Sequence, residues 1–123
     1  MKSILVIDDE PSLRRLMRKS LEAQGYAVRE AENGRDGIAQ CAVQPPDLII
    51  TDIFMPEQDG LETLRTLRKS QPDIRVIAMS GGGYMGDLDV LRTARLMGAR
   101  TILSKPFDMQ TLAQAVQDEL DAP

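Results

Sequence analysis

The chain has no histidine anywhere in its 123 residues and only one cysteine. Without histidine there are no His-dependent triads, no imidazole metal ligands and no imidazole general base. A single cysteine cannot form an intrachain disulfide. Cys41 lies in an apolar helical stretch with Ile38 and Ala42 and reads as a small buried hydrophobe. Long apolar runs are also missing, and none approaches the length of a membrane span. The opening Met1-Lys2-Ser3, four apolar residues and then acids, does not have the form of a secretory signal, so a cytoplasmic protein is expected. Basic residues are outnumbered, 15 against 19 acids, for a net charge of −4. General attraction to nucleic acid or anionic membranes is therefore not expected.

Linkers, low-complexity tracts and internal repeats are absent as well. The length suits one domain with a true core, and 42% hydrophobic with 28% charged residues is ordinary for a globular protein. The sequence runs out just after its last helical stretch, at Asp121-Ala122-Pro123. A single domain over residues 1–123 with no output domain is the expectation.

Four short apolar runs end on chemistry-bearing residues. Ile4-Leu5-Val6-Ile7 leads into Asp8-Asp9, Leu48-Ile49-Ile50-Thr51 into Asp52, residues 74–79 into Ser80, and Ile102-Leu103-Ser104 into Lys105. Runs of this length and composition read as strands buried on both faces. A weaker strand covers residues 26–31. If the strands are parallel, their carboxyl ends share one edge of one sheet, where open α/β folds place their sites.

Helical stretches alternate with the strands. Pro11 suits a first helical turn, and Leu13, Leu16, Met17 and Leu21 fall on one face. Arg14, Arg15, Arg18 and Lys19 lie off that face and read as a solvated surface. Gly25 is a plausible stop. Asn33-Gly34 opens a second helix that ends before Pro45-Pro46, and Asp59-Gly60 opens a third, with Leu61, Leu64 and Leu67, that closes before Pro72. A fourth carries Leu88, Leu91 and Met97 to Gly98. Asp108 caps a fifth, which buries Leu112, Val116 and Leu120. Repeated strand–helix units imply a parallel sheet with helices on both faces.

Three ionised aspartates in one crevice need a cation or a raised pKa, since two charges about 4 Å apart repel by roughly 4 kcal/mol at an effective dielectric near 20. An oxygen-only donor set suits Mg²⁺ better than softer metals, and the calcium loop pattern is absent. The alternative for Asp8-Asp9-Glu10 is that they merely cap the first helix.

Taken in order, Asp8-Asp9, Asp52 in Asp52-Ile53-Phe54-Met55-Pro56, Asp59-Gly60, Ser80-Gly81 and Lys105-Pro106-Phe107 resemble the landmarks of a receiver domain of bacterial two-component response regulators. The resemblance covers residues 1 to about 120. It implies a flavodoxin-like (βα)5 three-layer sandwich with a five-stranded parallel sheet in the order 2-1-3-4-5.

It also implies roles. Asp52 would be the phosphoacceptor, taking a phosphoryl group from a phosphohistidine on a sensor histidine kinase or a phosphotransfer protein. Asp8, Asp9, Asp52 and the backbone carbonyl of Phe54 would bind Mg²⁺. Lys105, followed by a cis X-Pro bond, would contact phosphoryl oxygens, as would the Ser80 hydroxyl and the Gly81 N–H. Read alone, Ser80 is a turn residue. Phosphorylation would pull the Ser80 loop inward and switch the surface of the fourth helix, fifth strand and fifth helix toward a downstream protein. Such a domain catalyses its own phosphorylation and dephosphorylation and turns over no separate substrate. Neither nucleic acid nor membrane would be bound directly, and weak dimerisation through the last two helices stays open.

The chain departs from the pattern at Ile102, where many receivers carry an aromatic residue. Switching is then expected to use backbone movement of residues 80–86, with Tyr84 either packing into the gap or playing no part. Phe54 and Gly82 pull in opposite directions on the lifetime of a phosphoaspartate, so none is predicted. The glycines at 81–83 are not a nucleotide-binding loop, because no Gly-Lys-Ser/Thr follows. Two other readings stand beside this one. A receiver-like binding module could act without phosphorylation, which Ile102 favours and the intact acids, Ser80 and Lys105 oppose. A Mg²⁺-dependent phosphatase would usually need an acid where Phe54 stands, and a lid over its substrate.

Overall fold

Alternation along each apolar run decides which helix it meets. The computed structural model of the chain describes residues 1–53, 60–81, 92, 94–96 and 98–123, with residues 60 and 61 described by their backbone. The strands are β1 (Ser3–Ile7), β2 (Ala27–Ala31), β3 (Leu48–Asp52), β4 (Arg75–Ser80) and β5 (Ala99–Ser104). Between them run α1 (Pro11–Ala23), α2 (Gly34–Val43) and α3 (Gly60–Ser70), and a C-terminal helix (Met109–Asp121) closes the chain. All strand pairs are parallel and the order is β2-β1-β3-β4-β5. The fold is the expected flavodoxin-like three-layer sandwich.

On one face of the sheet Ile4, Val6, Val28, Leu48, Ile50, Ile77, Met79 and Leu103 pack with Met17 and Leu21 of α1 and Leu112 and Val116 of the C-terminal helix. On the other, Leu5, Ile7, Ile49, Val76 and Ala78 pack with Cys41 of α2 and Leu64 and Leu67 of α3. Each fully buried side chain of this size contributes roughly 1.5–3 kcal/mol relative to exposure. Cys41 is the buried hydrophobe expected of it, and burial pushes its thiol pKa up.

The ends of the helices follow local chemistry. Pro11 stands in the first turn of α1. At the other end Gly25 takes φ +99°, its N–H bonds to the Glu22 carbonyl, and the Tyr26 N–H reaches back to Leu21. These two bonds satisfy carbonyls the helix leaves open, in a conformation that favours glycine. Asn33 and Asp108 cap α2 and the C-terminal helix by accepting from the N–H of Asp36 (2.8 Å) and Thr111 (2.7 Å).

Four expectations need correction. Leu16 is half exposed, because the stripe meeting the sheet is Leu13, Met17 and Leu21 and Leu16 lies beside it. Arg14 is not a solvated cation, since its guanidinium reaches Glu30 at 2.8 Å with little of the side chain exposed. At the C-terminal helix Glu119 is buried while Leu120 is only partly so. Glu119 turns toward Arg100 of β5, 3.6 Å away, and Arg75 donates to the carbonyls of Glu119 and Ala122. Strand β5 starts three residues earlier than its apolar run, with a pairing irregularity that passes over Arg100. Gly98, at φ +102°, hands the preceding helical residues directly to the strand. Leu88, Leu91 and Met97 of the expected fourth helix lie outside the described residues, although residues 92 and 94–96 are helical and Ala94 is buried.

Candidate functional site

The period of two that builds the core also aims the acids. Asp52 follows Leu48 and Ile50 on the face of α1 and the C-terminal helix, and the alternation carries past the strand ends from Ile4 and Val6 to Asp8 and from Leu103 to Lys105. Three residues far apart in sequence thereby reach one crevice at the carboxyl edge of the sheet. Asp8, Asp9 and Asp52 each offer a carboxylate oxygen, and these oxygens lie within 4.8 Å of one another. Asp8 and Asp52 are buried, whereas Asp9 is exposed.

Lys105 joins this cluster through its ammonium. Its Nζ lies 2.8 Å from Asp8 Oδ2 and 2.8 Å from Asp52 Oδ2, donating to both. Burial alone would lower the lysine pKa, but the hydrogen bonds to Asp52 and Asp8 outweigh it and hold the group above its ordinary value. The Lys105–Pro106 bond is cis.

Three carboxylates and one ammonium leave two negative charges in a largely buried space. An all-oxygen donor set with that excess charge fits a hard divalent cation such as Mg²⁺. The rival reading, in which the acids only cap α1, is not supported by the geometry. The residue at the cap position is Glu10, whose side chain makes no capping bond. Asp8 faces the cluster instead, with its Oδ1 accepting from the Glu10 N–H at 2.9 Å.

Ser80 ends β4 and is buried. Its carbonyl accepts from the Lys105 N–H at 2.7 Å, which ties the end of β4 to the lysine. Among the described residues no hydrogen bond joins the Ser80 hydroxyl to Asp8, Asp52 or Lys105, and the alternation of β4 turns Ser80 toward the face of Val76 and Ala78. Gly81 follows as a half-buried residue outside the strand. Phe54, Gly82 and Tyr84 lie outside the described residues. Ile102 is partly buried against the core on the α2–α3 side.

Two contributors to the site escaped the sequence reading. Arg14 donates from Nη1 to the carbonyl of Asp8 at 2.7 Å and from Nε to Glu30 at 2.8 Å. Glu30 also accepts from Arg18 at 3.2 Å. Burial alone would raise the Glu30 pKa, but its hydrogen bonds with Arg14 and Arg18 prevail and hold it below the usual carboxylate range. The available signal was an acid on β2 with two arginines four apart on α1.

The family model of the response regulator receiver domain matches residues 4–117. The chain belongs to this family. It is 32% identical over 119 residues to sporulation initiation phosphotransferase F of Bacillus subtilis (strain 168), covering 97% of the chain and 94% of that protein. It is 34% identical over 118 residues to the transcriptional regulatory protein GlrR of Escherichia coli (strain K12), covering 96% of the chain but 26% of that longer protein. A solved receiver domain protein from Clostridium thermocellum superposes with a TM-score of 0.88 at 32% identity, covering 98% of this chain and 95% of that one. This receiver domain is thus a component of two-component signalling, a family whose members interact with histidine kinases and downstream effectors.

Proposed function

We propose that this receiver works as a phosphoacceptor switch, with Asp52 as the acceptor. The observation that carries the reading is the shared ammonium of Lys105, 2.8 Å from both Asp8 and Asp52, beside a third carboxylate at cation-binding distance. A carboxylate oxygen of Asp52 attacks the phosphorus of a phosphohistidine on a sensor histidine kinase or phosphotransfer protein. The new O–P bond forms as the P–N bond breaks, and the departing imidazole keeps the bonding pair and takes a proton from solvent.

Asp8, Asp9 and Asp52, with the Phe54 carbonyl, would hold Mg²⁺. Its chemistry is to offset the charge of the acids and of the transferring group. Lys105 is already in contact with the acceptor carboxylate, so its ammonium can follow the charge onto the phosphoryl oxygens. Ser80 and the Gly81 N–H would add neutral donors once the end of β4 adjusts, and the Lys105 N–H bond to the Ser80 carbonyl couples that adjustment to β5. The surface built from the segment before Gly98, β5 and the C-terminal helix would then change its affinity for a downstream protein. Water attack on the acyl phosphate resets the domain, so the chemistry is self-directed rather than turnover of a separate substrate.

Intact mass after incubation with a small phosphoryl donor, with and without Mg²⁺, tests the reading. The expected result is a Mg²⁺-dependent gain of one phosphoryl group that Asp52→Asn loses. No gain with any donor or metal would replace the reading with a binding module that acts unphosphorylated.

A further inference from the structure

Asp9 raises a question that its own side chain does not answer. It is exposed, and among the described residues no hydrogen bond or ion pair holds its carboxylate, yet that carboxylate belongs to the cation-binding cluster. Its position must come from the backbone. Each peptide is a rigid plane, so the Asp8 carbonyl and the Asp9 N–H turn together. Arg14 Nη1 grips that plane through the Asp8 oxygen at 2.7 Å. The next plane is gripped through the Glu10 N–H, which donates to Asp8 Oδ1 at 2.9 Å. The Asp8 N–H, bonded to Ala31 at 3.1 Å, anchors the start of the turn. Both planes flanking the Asp9 Cα are therefore tethered. One tether is a local turn bond, and the other comes from α1.

We infer that Arg14, held by Glu30, is a positioning residue for the cation site: it sets the Asp8–Asp9 peptide so that the Asp9 carboxylate points into the cluster. The guanidinium suits this work because it is planar and donates in two directions at once, one toward Glu30 on β2 and one toward the Asp8 carbonyl. Glu30 offsets the arginine charge so close to a site meant for a cation, and its carboxylate is shared between Arg14 and Arg18. The inference rests on the proposed cation-dependent reading of the acids.

Electrostatics and positioning predict opposite outcomes, which makes the test sharp. Removing a positive charge beside a cation site should tighten cation binding if charge alone matters. Losing a positioning contact weakens it, by about 10- to 100-fold for partners that orient ligands. Mn²⁺ binding to the full chain, followed by electron paramagnetic resonance, reads the difference directly. Arg14→Ala is expected to weaken Mn²⁺ at least about tenfold. Arg14→Ala/Glu30→Gln, neutral in net charge change, should weaken it similarly. The Asp9 amide resonance should move in both variants while amides of β3 and β4 stay in place.

If Arg14→Ala does not fold, Arg14→Lys is the variant to read. It keeps the charge but cannot span Glu30 and the Asp8 carbonyl together, so weaker Mn²⁺ binding is expected there too. Equal or tighter binding in the folded variant overturns the role of Arg14 alone. Failure of the unaltered chain to bind Mn²⁺ overturns the cation reading and this inference with it.

Discussion

The ammonium of Lys105 meets the carboxylate of Asp52 at 2.8 Å, across 53 positions of sequence. Neither residue is at the protein surface in the usual sense, with 18% and 8% of their side chains exposed. Removing one partner of a pair this buried leaves an uncompensated charge, at a cost of about 3 kcal/mol. Lys105→Met should lose about that much unfolding free energy in metal-free buffer, because Asp8 and Asp52 then lose the ammonium they share. Added Mg²⁺ should recover much of the loss. Urea denaturation with and without Mg²⁺ checks both statements, and unchanged stability would show that the lysine is not balancing the acids. The raised lysine pKa means the pair's contribution is fully present below the ordinary lysine value near 10.4 and fades only as pH rises beyond it.

Asp52 itself sits between competing forces. At an effective dielectric near 20, repulsion from Asp8 and Asp9 at the 4.8 Å limit comes to roughly 3.5 kcal/mol each, against about 6 kcal/mol of attraction to Lys105 at 2.8 Å. Among the described charges, the two repulsions together exceed this attraction by about 1 kcal/mol at that dielectric. Asp52→Asn keeps an oxygen for Lys105 and removes the charge, so it should raise stability by about 1 kcal/mol in metal-free buffer. The same variant should gain less from Mg²⁺ than the unaltered chain does. A thermal melt series over Mg²⁺ concentration reads the two effects together. A destabilised Asp52→Asn protein would mean that the lysine bond outweighs the crowding of acids.

Glu30 makes a pH-dependent contribution of known sign. Its pKa lies below the ordinary glutamate value near 4.3, so the stability it supplies is present above that value and is lost as pH falls through and below it. At neutral pH, Glu30→Gln should cost about 1.5 kcal/mol, the lower end of the range for hydrogen bonds to charged groups. The cost should begin to shrink as pH falls below about 4.3 and vanish only below the lowered folded-state pKa, where both proteins carry a neutral side chain at this position. Unfolding free energies of the pair from pH 3 to 8 would show the curves converging in acid. Parallel curves would mean that Glu30 is not the titrating partner of Arg14 and Arg18.

What could be read beforehand divides along the reach of each interaction. The sheet was legible because buried parallel strands need unbroken apolar runs, and Ile4-Leu5-Val6-Ile7 or Leu48-Ile49-Ile50 can hardly be anything else. The acids and Lys105 were legible because each stands at the end of such a run. The start of β5 was hidden because Arg100 and Thr101 interrupt its apolar pattern. Arg14 and Glu30 were hidden for another reason: an ion pair across 16 residues depends on how α1 lies on β2, which no local pattern states. Glu119 was partly visible, since it falls seven residues after Leu112 on nearly the same helical stripe. Helical spacing marked the stripe, and only packing against β5 could favour Glu119 over Leu120.

Gly34 shows how a correct local reading can miss the stronger constraint. It was expected in the turn that opens α2, and it does open that helix after the Asn33 cap. The tighter demand comes from α3. A Cβ at Gly34 would collide with the Thr63 hydroxyl and stand 3.2 Å from Thr63 Cβ, where Thr63 is fully buried. The α2–α3 contact thus depends on a missing side chain. Gly34→Ala should destabilise by about 1–3 kcal/mol, the cost of overpacking, despite alanine's better helix propensity. Thr63→Ala in the same chain removes the colliding hydroxyl, so the double variant should be more stable than the sum of the two single changes predicts. Denaturant midpoints of the four proteins complete the cycle. Simple additivity would place the strain of Gly34→Ala somewhere other than against Thr63.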